Sequence, residues 1–264
     1  MNKFAFGISG KSQTLFEKWK YLLFQEQCRL CKRMIHPMVE KMNFENYGPP
    51  GKYFYYGNEI VSDALCQFCL PNVITGHPVI NSHQFVYAEK SQQLFVSSAA
   101  IFKEPVNELI LRLKYSNDVL LAKDLSCLML RSWHALKERF EHEIEDGSVC
   151  LVPVPLHKKR LHERGYNQAE LIASCMGNLL NIRVEDKLLC RVRNTVSQQK
   201  LSKAERWINV KEAFMAKNDC AFLGKQVVLI DDVCTSGATL VECSKAVKSA
   251  GALAVYGLSA AFVF

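Results

Sequence analysis

Several things are scarce or missing in this 264-residue chain. It has no stretch approaching the roughly 18 to 20 apolar residues needed to cross a bilayer. The uncharged tail 252–264 is too short for that and reads as a buried strand. The opening MNKFAFGISGK has no long apolar segment and no cleavage-site pattern, so a cytoplasmic location is expected. Internal repeats and low-complexity tracts are absent. So are GxGxxG and the Walker A pattern, which argues against dinucleotide and ATP sites. Residue 2 is Asn, which disfavours an N-terminal cysteine nucleophile of the amidotransferase kind. Acidic residues are outnumbered, 26 against 33 basic, so the net charge is +7 and anionic partners are favoured.

Cysteine, by contrast, is plentiful: there are 11. In a cytoplasmic chain of this size that suggests free thiols and a metal site rather than disulfides. CRLC at 28–31 and CQFC at 66–69 offer four soft ligands, and two CxxC knuckles can wrap tetrahedral zinc. His36 is a competing ligand, and a redox CxxC is the alternative reading. Four thiolates leave no open position on zinc, so the expected role is structural. The segment 32–65 between the pairs carries the turn-rich, aromatic NFENYGPPGKYFYYGNE, which looks like an insertion. Its Tyr47, Tyr53, Phe54, Tyr55 and Tyr56 either stack on bases or pack under the knuckle. The other seven cysteines (Cys127, Cys150, Cys175, Cys190, Cys220, Cys234, Cys243) sit mostly among apolar residues and are expected in the core.

From about residue 84 the pattern alternates strand and helix. Helices are expected from Glu104-Pro105 to about Lys114, over 118–143, and from Asn167 onward with Ile172, Cys175 and Met176 on one face. Ser202-x-x-Glu205 is a capping box ahead of a short helix. Strands are expected at 149–156, 187–192, 227–231 and 254–263, with a helix at 238–250. The fold class is therefore α/β: a mostly parallel sheet flanked by helices, residues 84–264, preceded by a small zinc-ribbon-like module, residues 20–83.

The densest chemistry lies in VVLIDDVCTSGATL, 227–240. Ligands of open α/β sheets bind beyond the carboxyl ends of the strands, which is where Asp231 and Asp232 fall. The loop Thr235-Ser236-Gly237-Ala238-Thr239 has small side chains and hydroxyls at the start of a helix, which suits a phosphate. Carboxylates for hydroxyls beside a phosphate nest describe a sugar phosphate. The plainer alternative is a strand-turn-helix with acids as caps.

Four apolar residues, two acids and a TSGAT loop resemble the signature of the type I phosphoribosyltransferases, which binds 5-phosphoribosyl 1-pyrophosphate (PRPP). VPVPLHKKRLHERGYNQAELIA (152–173) and RNTVSQQKLSKAERWINVKEAF (193–214) narrow the resemblance to the ComF competence-protein family, also called GntX-like. It covers residues 28–263 and includes the cysteine module. The resemblance implies that Asp231 and Asp232 bind the ribose hydroxyls and Thr235, Ser236, Gly237, Ala238 and Thr239 the 5′-phosphate. It places His157, Lys158, Arg160 and Arg164 in the pyrophosphate loop, matches Lys114-Tyr115 to a family motif, and sets Gln198, Gln199 and Arg206 in a mobile loop. Asp231, Asp232, Arg160, Arg164 and Arg206 are the expected catalytic set. Zinc is the expected structural metal, with magnesium accompanying PRPP. The implied role is handling of incoming single-stranded DNA during natural transformation. The implied partners are an uptake helicase and a recombination mediator at the inner face of the membrane. The alternative is an active phosphoribosyltransferase with an unknown acceptor.

Overall fold

The computed structural model describes residues 27–33, 42–43, 59–60, 64–66, 68–75, 80–86, 93–144, 147–196 and 201–264. His36, most of the aromatic insertion, Gln198 and Gln199 lie outside these residues. Six strands form the main sheet: β3 (Ile80–Val86), β4 (Gln93–Ile101), β5 (Val149–Pro153), β6 (Arg183–Val184), β9 (Gln226–Cys234) and β10 (Ala254–Phe262). Their spatial order is β3-β4-β10-β9-β5-β6. All neighbours are parallel except β3 and β4, which pair antiparallel. Two short ribbons stand apart, β1 (Met42–Asn43) with β2 (Glu59–Ile60) and β7 (Leu189–Arg191) with β8 (Phe214–Ala216).

The central strands are apolar on both faces because helices cover both. In β9, Val228 and Ile230 enter a core shared with helices α2 (Val106–Tyr115), α3 (Leu121–Arg139) and α5 (Gln168–Leu180). Val227 and Leu229 point the other way, into a core with α6 (Lys203–Val210), α7 (Ala238–Ser249) and the β7–β8 ribbon. This is the period-2 division expected of a strand buried on both sides. Truncating such a side chain to Ala removes about 2–5 kcal/mol.

Helix boundaries follow local chemistry. Asn167 caps α5, accepting from the Ala169 N–H at 3.1 Å, and Asn181 ends it in the left-handed region. Gly177 lets the turn beyond α5 fold back tightly, since a Cβ there would meet the Val184 side chain at 2.5 Å. The capping box at α6 is complete: Ser202 N–H donates to Glu205 Oε2 at 2.7 Å and Glu205 N–H to Ser202 Oγ at 3.3 Å. α3 is shorter than the 118–143 expected, because residues 118–120 form a turn and Phe140 closes the last helical turn. The segment after β5, expected as a loop, contains a helix, α4 (Lys158–Arg164). The remaining helix, α1 (Cys69–Thr75), starts on the fourth cysteine of the paired set. Among the described residues no helix is long and apolar enough to cross a membrane.

Candidate functional site

The sheet's connections diverge between β5 and β9. From β5 the chain winds through α5 outward to β6, and from β9 it winds through α7 outward to β10 on the other side. Such a switch point leaves a crevice at the carboxyl ends of the two strands. β5 stops pairing with Pro153 opposite Ile230, while β9 runs on to Cys234. Asp231 and Asp232 therefore stand on the stretch of β9 that β5 leaves uncovered.

A cavity of about 330 Å³ occupies this crevice, within the usual range for small-molecule sites. Both acids line it, and so do five cations: Lys114 from α2, Arg160 and Arg164 from α4, Arg191 from β7 and Arg206 from α6. The two acids have unlike partners. Asp232 is buried, ion-paired with Lys114 and bonded by Gln168 Nε2 at 3.3 Å. Burial alone would raise its carboxyl, but the Lys114 ammonium outweighs that and holds it below the usual range. Asp231 accepts the Asp232 N–H at 2.9 Å. Burial, and then the neighbouring carboxylate, push its proton affinity well above normal.

The cations are positioned by neutral contacts. Arg164 donates to Gln168 Oε1 and lies over the Tyr115 ring at 5.4 Å. Tyr166 donates to the Leu113 carbonyl, which holds the end of α2 against α4 and α5. Arg191 stacks on Phe214 at 5.2 Å and donates to Thr195, while its Nε is buried without a partner. Burial, and then the charge of Arg160, lower its proton affinity, although a guanidinium stays charged at neutral pH. Arg206 donates Nε to the Leu201 carbonyl at 3.1 Å.

Thr235 and Thr239 line the cavity, and Ser236, Gly237 and Ala238 are buried beneath them. Gly237 sits at φ +74 as the N-cap of α7, and no side chain caps that helix. The first N–H groups of any helix lack intrahelical partners, and here the buried Ser236 Oγ lacks one as well. His157 caps α4 by accepting from Lys159 N–H at 3.3 Å, and Lys158 is exposed. Neither is among the residues lining this cavity. Gln168 and Arg191 were not singled out in the sequence. The available signal was position: Gln168 stands one turn before Ile172 on the buried face of α5, and Arg191 shares a strand face with buried Leu189.

The four paired cysteines converge. The Sγ atoms of Cys28, Cys31, Cys66 and Cys69 all lie within 4.8 Å of one another, and Cys31 and Cys66 are 3.5 Å apart. A tetrahedral zinc with bonds of about 2.3 Å needs sulfurs roughly 3.8 Å apart, so the set fits a metal ion such as zinc. Local turns hold it: Cys28 N–H donates to Arg33 O at 2.7 Å, and Cys69 N–H to Cys66 O at 3.0 Å. An N–H from the Arg33 backbone lowers the Cys31 thiol to about 7, whereas burial raises Cys66. Leu65, Leu70 and Val73 join the α2–α3 core, and Arg29 Nε bonds Asp118 at 3.0 Å. Of the scattered cysteines, Cys150, Cys234 and Cys243 are buried as expected, but Cys190 and Cys220 are exposed.

No model of a known protein family matches the chain. Among curated proteins it is similar to Competence protein F of Haemophilus influenzae, 33% identical over 163 residues, 60% of this chain and 69% of that protein. DNA utilization protein YhgH of Escherichia coli (strain K12) is 30% identical over 158 residues, 60% of this chain and 67% of that one. Competence protein ComFC of Bacillus subtilis is 41% identical over 101 residues, 38% and 39% of the respective chains.

Proposed function

This chain belongs to the ComF competence-protein family, and from that premise we propose that its cation-lined cavity binds PRPP in the service of DNA utilization. Its relatives carry the names of competence and DNA utilization proteins. The finer role we assign is handling incoming single-stranded DNA during natural transformation, together with an uptake helicase and a recombination mediator.

The observation that carries the ligand assignment is a pair of adjacent carboxylates at the switch point of an otherwise cationic cavity. Ribose hydroxyls would donate to Asp231 and Asp232. The 5′-phosphate would rest on 235–239, where an uncapped helix start favours negative charge. Arg160, Arg164, Arg191 and Arg206 would face the pyrophosphate, which brings magnesium with it to offset its charge. Lys114 acts through Asp232, keeping that carboxylate ionised. The cysteine knuckle would hold zinc in a structural role, with all four positions filled.

Asp231→Asn leaves the Lys114–Asp232 pair intact and removes one anionic acceptor. Calorimetry should then show PRPP affinity reduced about tenfold, since a hydrogen bond to a charged group contributes about 1.5–3 kcal/mol. In the wild type, affinity should rise with pH as Asp231 ionises, and the variant should lose that component. Equal affinity in both proteins would remove the acids from the ligand site.

A second reading, turnover of PRPP to an acceptor, is favoured by one observation: another cavity adjoins the first and shares its basic wall. Release of pyrophosphate on adding an acceptor would separate the enzyme from the binding protein.

A further inference from the structure

One uncharged side chain joins the two kinds of group that line the crevice. Gln168, the first residue of α5, lines the cavity yet is only 6% exposed. Its Oε1 accepts from Arg164 Nη1, and its Nε2 donates to Asp232 Oδ1 at 3.3 Å. The neighbours fix which way the amide points, since a guanidinium can only donate and an ionised carboxylate can only accept. An ionised carboxylate in its place would face Asp232 with like charge, and a cation would face Arg164. The two partners depend on the amide unequally. Asp232 keeps Lys114 on its other oxygen, Oδ2, whatever Gln168 does. Arg164 has no carboxylate within ion-pair distance among the described residues. Its other contact is the Tyr115 ring, 5.4 Å away and 61% exposed. A ring face holds a guanidinium near it without fixing where its N–H groups aim, whereas a hydrogen bond to a buried amide fixes that direction. Loss of the amide would therefore free the cation and spare the carboxylate.

We propose that Gln168 is a positioning residue: anchored on Asp232, it aims the Arg164 guanidinium at the pyrophosphate end of the PRPP site and does not itself bind the ligand. Ribose end and pyrophosphate end are thereby held in one frame, with the amide as the strut between an acid of the first and a cation of the second. This rests on the PRPP reading above.

The test titrates the full chain by calorimetry with PRPP and with its two halves. Magnesium pyrophosphate reports on the cationic wall, and ribose 5-phosphate on the acids and the 235–239 loop. Gln168→Met keeps the length of the side chain and removes both hydrogen bonds. It should weaken magnesium pyrophosphate about tenfold and leave ribose 5-phosphate within about threefold. A merely structural role would weaken both halves together. In an Arg164→Met background the same change should cost less than about twofold, because the two residues act as one unit. Gln168→Glu keeps the shape but pairs Arg164 with a full negative charge, and should weaken pyrophosphate further. It decides the matter if the Met variant does not fold. Wild-type binding of PRPP together with unchanged pyrophosphate affinity in both Gln168 variants would overturn this proposal alone. Additive losses in the double variant would overturn it too, as would a loss confined to ribose 5-phosphate, which would make Gln168 a ligand contact. A wild type that takes neither PRPP nor either half would sink the PRPP reading and this proposal with it.

Discussion

Cys28, Cys31, Cys66 and Cys69 come from two short turns and face one another, whereas Asp231 and Asp232 are neighbours in sequence and face different partners. The thiols form a closed set in which four like ligands surround one point. Such a set is completed by a cation and then has nothing left to offer a substrate. The carboxylates belong to an open set. One is satisfied by Lys114 and Gln168, the other is left with a raised proton affinity, and the surrounding cations outnumber both. On the reading proposed above, the difference separates a region whose metal would supply folding free energy from one whose charges would meet a ligand.

The widest break in this comparison comes from opening the closed set. Elemental analysis should find about one zinc per chain in the wild type and none in Cys66→Ser. The variant should lose more than about 4 kcal/mol of stability, as expected when a structural metal is lost. An unchanged melting curve in a metal-free sample would put the knuckle among plain thiols.

Next in size is Asp232→Asn, which leaves the half-buried Lys114 ammonium without its carboxylate. Breaking one partner of such a pair costs about 3 kcal/mol, measurable by denaturant unfolding. The folded carboxyl lies below its unfolded value, so its contribution is present above the unfolded value, about 3.9, and disappears as pH falls through the folded one. Acidification should therefore narrow the gap between variant and wild type.

Asp231→Asn should go the other way by a smaller amount. Its folded carboxyl lies above the unfolded value, so the native state keeps a proton that the unfolded chain has released. Wild-type stability thus declines as pH rises from about 4 through the folded value. The variant lacks that decline and should melt a few degrees higher at pH 8 and level with the wild type near pH 4. A variant that melts lower at pH 8 would mean the two acids are satisfied as a pair.

The smallest effect tests whether the two regions communicate. Arg29→Met removes the ion pair that ties the knuckle to the turn after α2, at side chains 31% and 14% exposed. It should cost about 0.5 kcal/mol and change PRPP affinity by no more than about twofold. A larger loss of affinity would make the knuckle part of the site.

Much of this was legible in the sequence. The 235–239 loop before α7, the α5 start at Asn167 and the Ser202–Glu205 box depend on short-range rules, and the structure places each where those rules put it. The two acids, by contrast, lie inside β9, which runs on to Cys234 past the expected end at 231 because β10 continues to pair with it. α4 was hidden because none of its residues is buried, so no apolar period marked it. Its markers were the caps, His157 and the left-handed Gly165. Cys190 was read as core from its apolar neighbours, but strand alternation turns it outward from buried Leu189. Arg191 and Gln168 escaped because their role depends on tertiary neighbours: Phe214 and Thr195 for one, Asp232 and Arg164 for the other.

The margins of the main sheet have a consequence of their own. One flank ends in β6, only two residues long, and the other in β3, which runs against its neighbour and slips register between Ile80 and His83. A passing extended chain needs a long, even row of free amides and carbonyls to zip onto, and among the described residues β6 is too short and β3 too irregular to present one. A protein whose relatives act in DNA utilization can thus keep a strongly β-forming centre, Val227 through Ile230, without that centre recruiting other chains into a growing ladder.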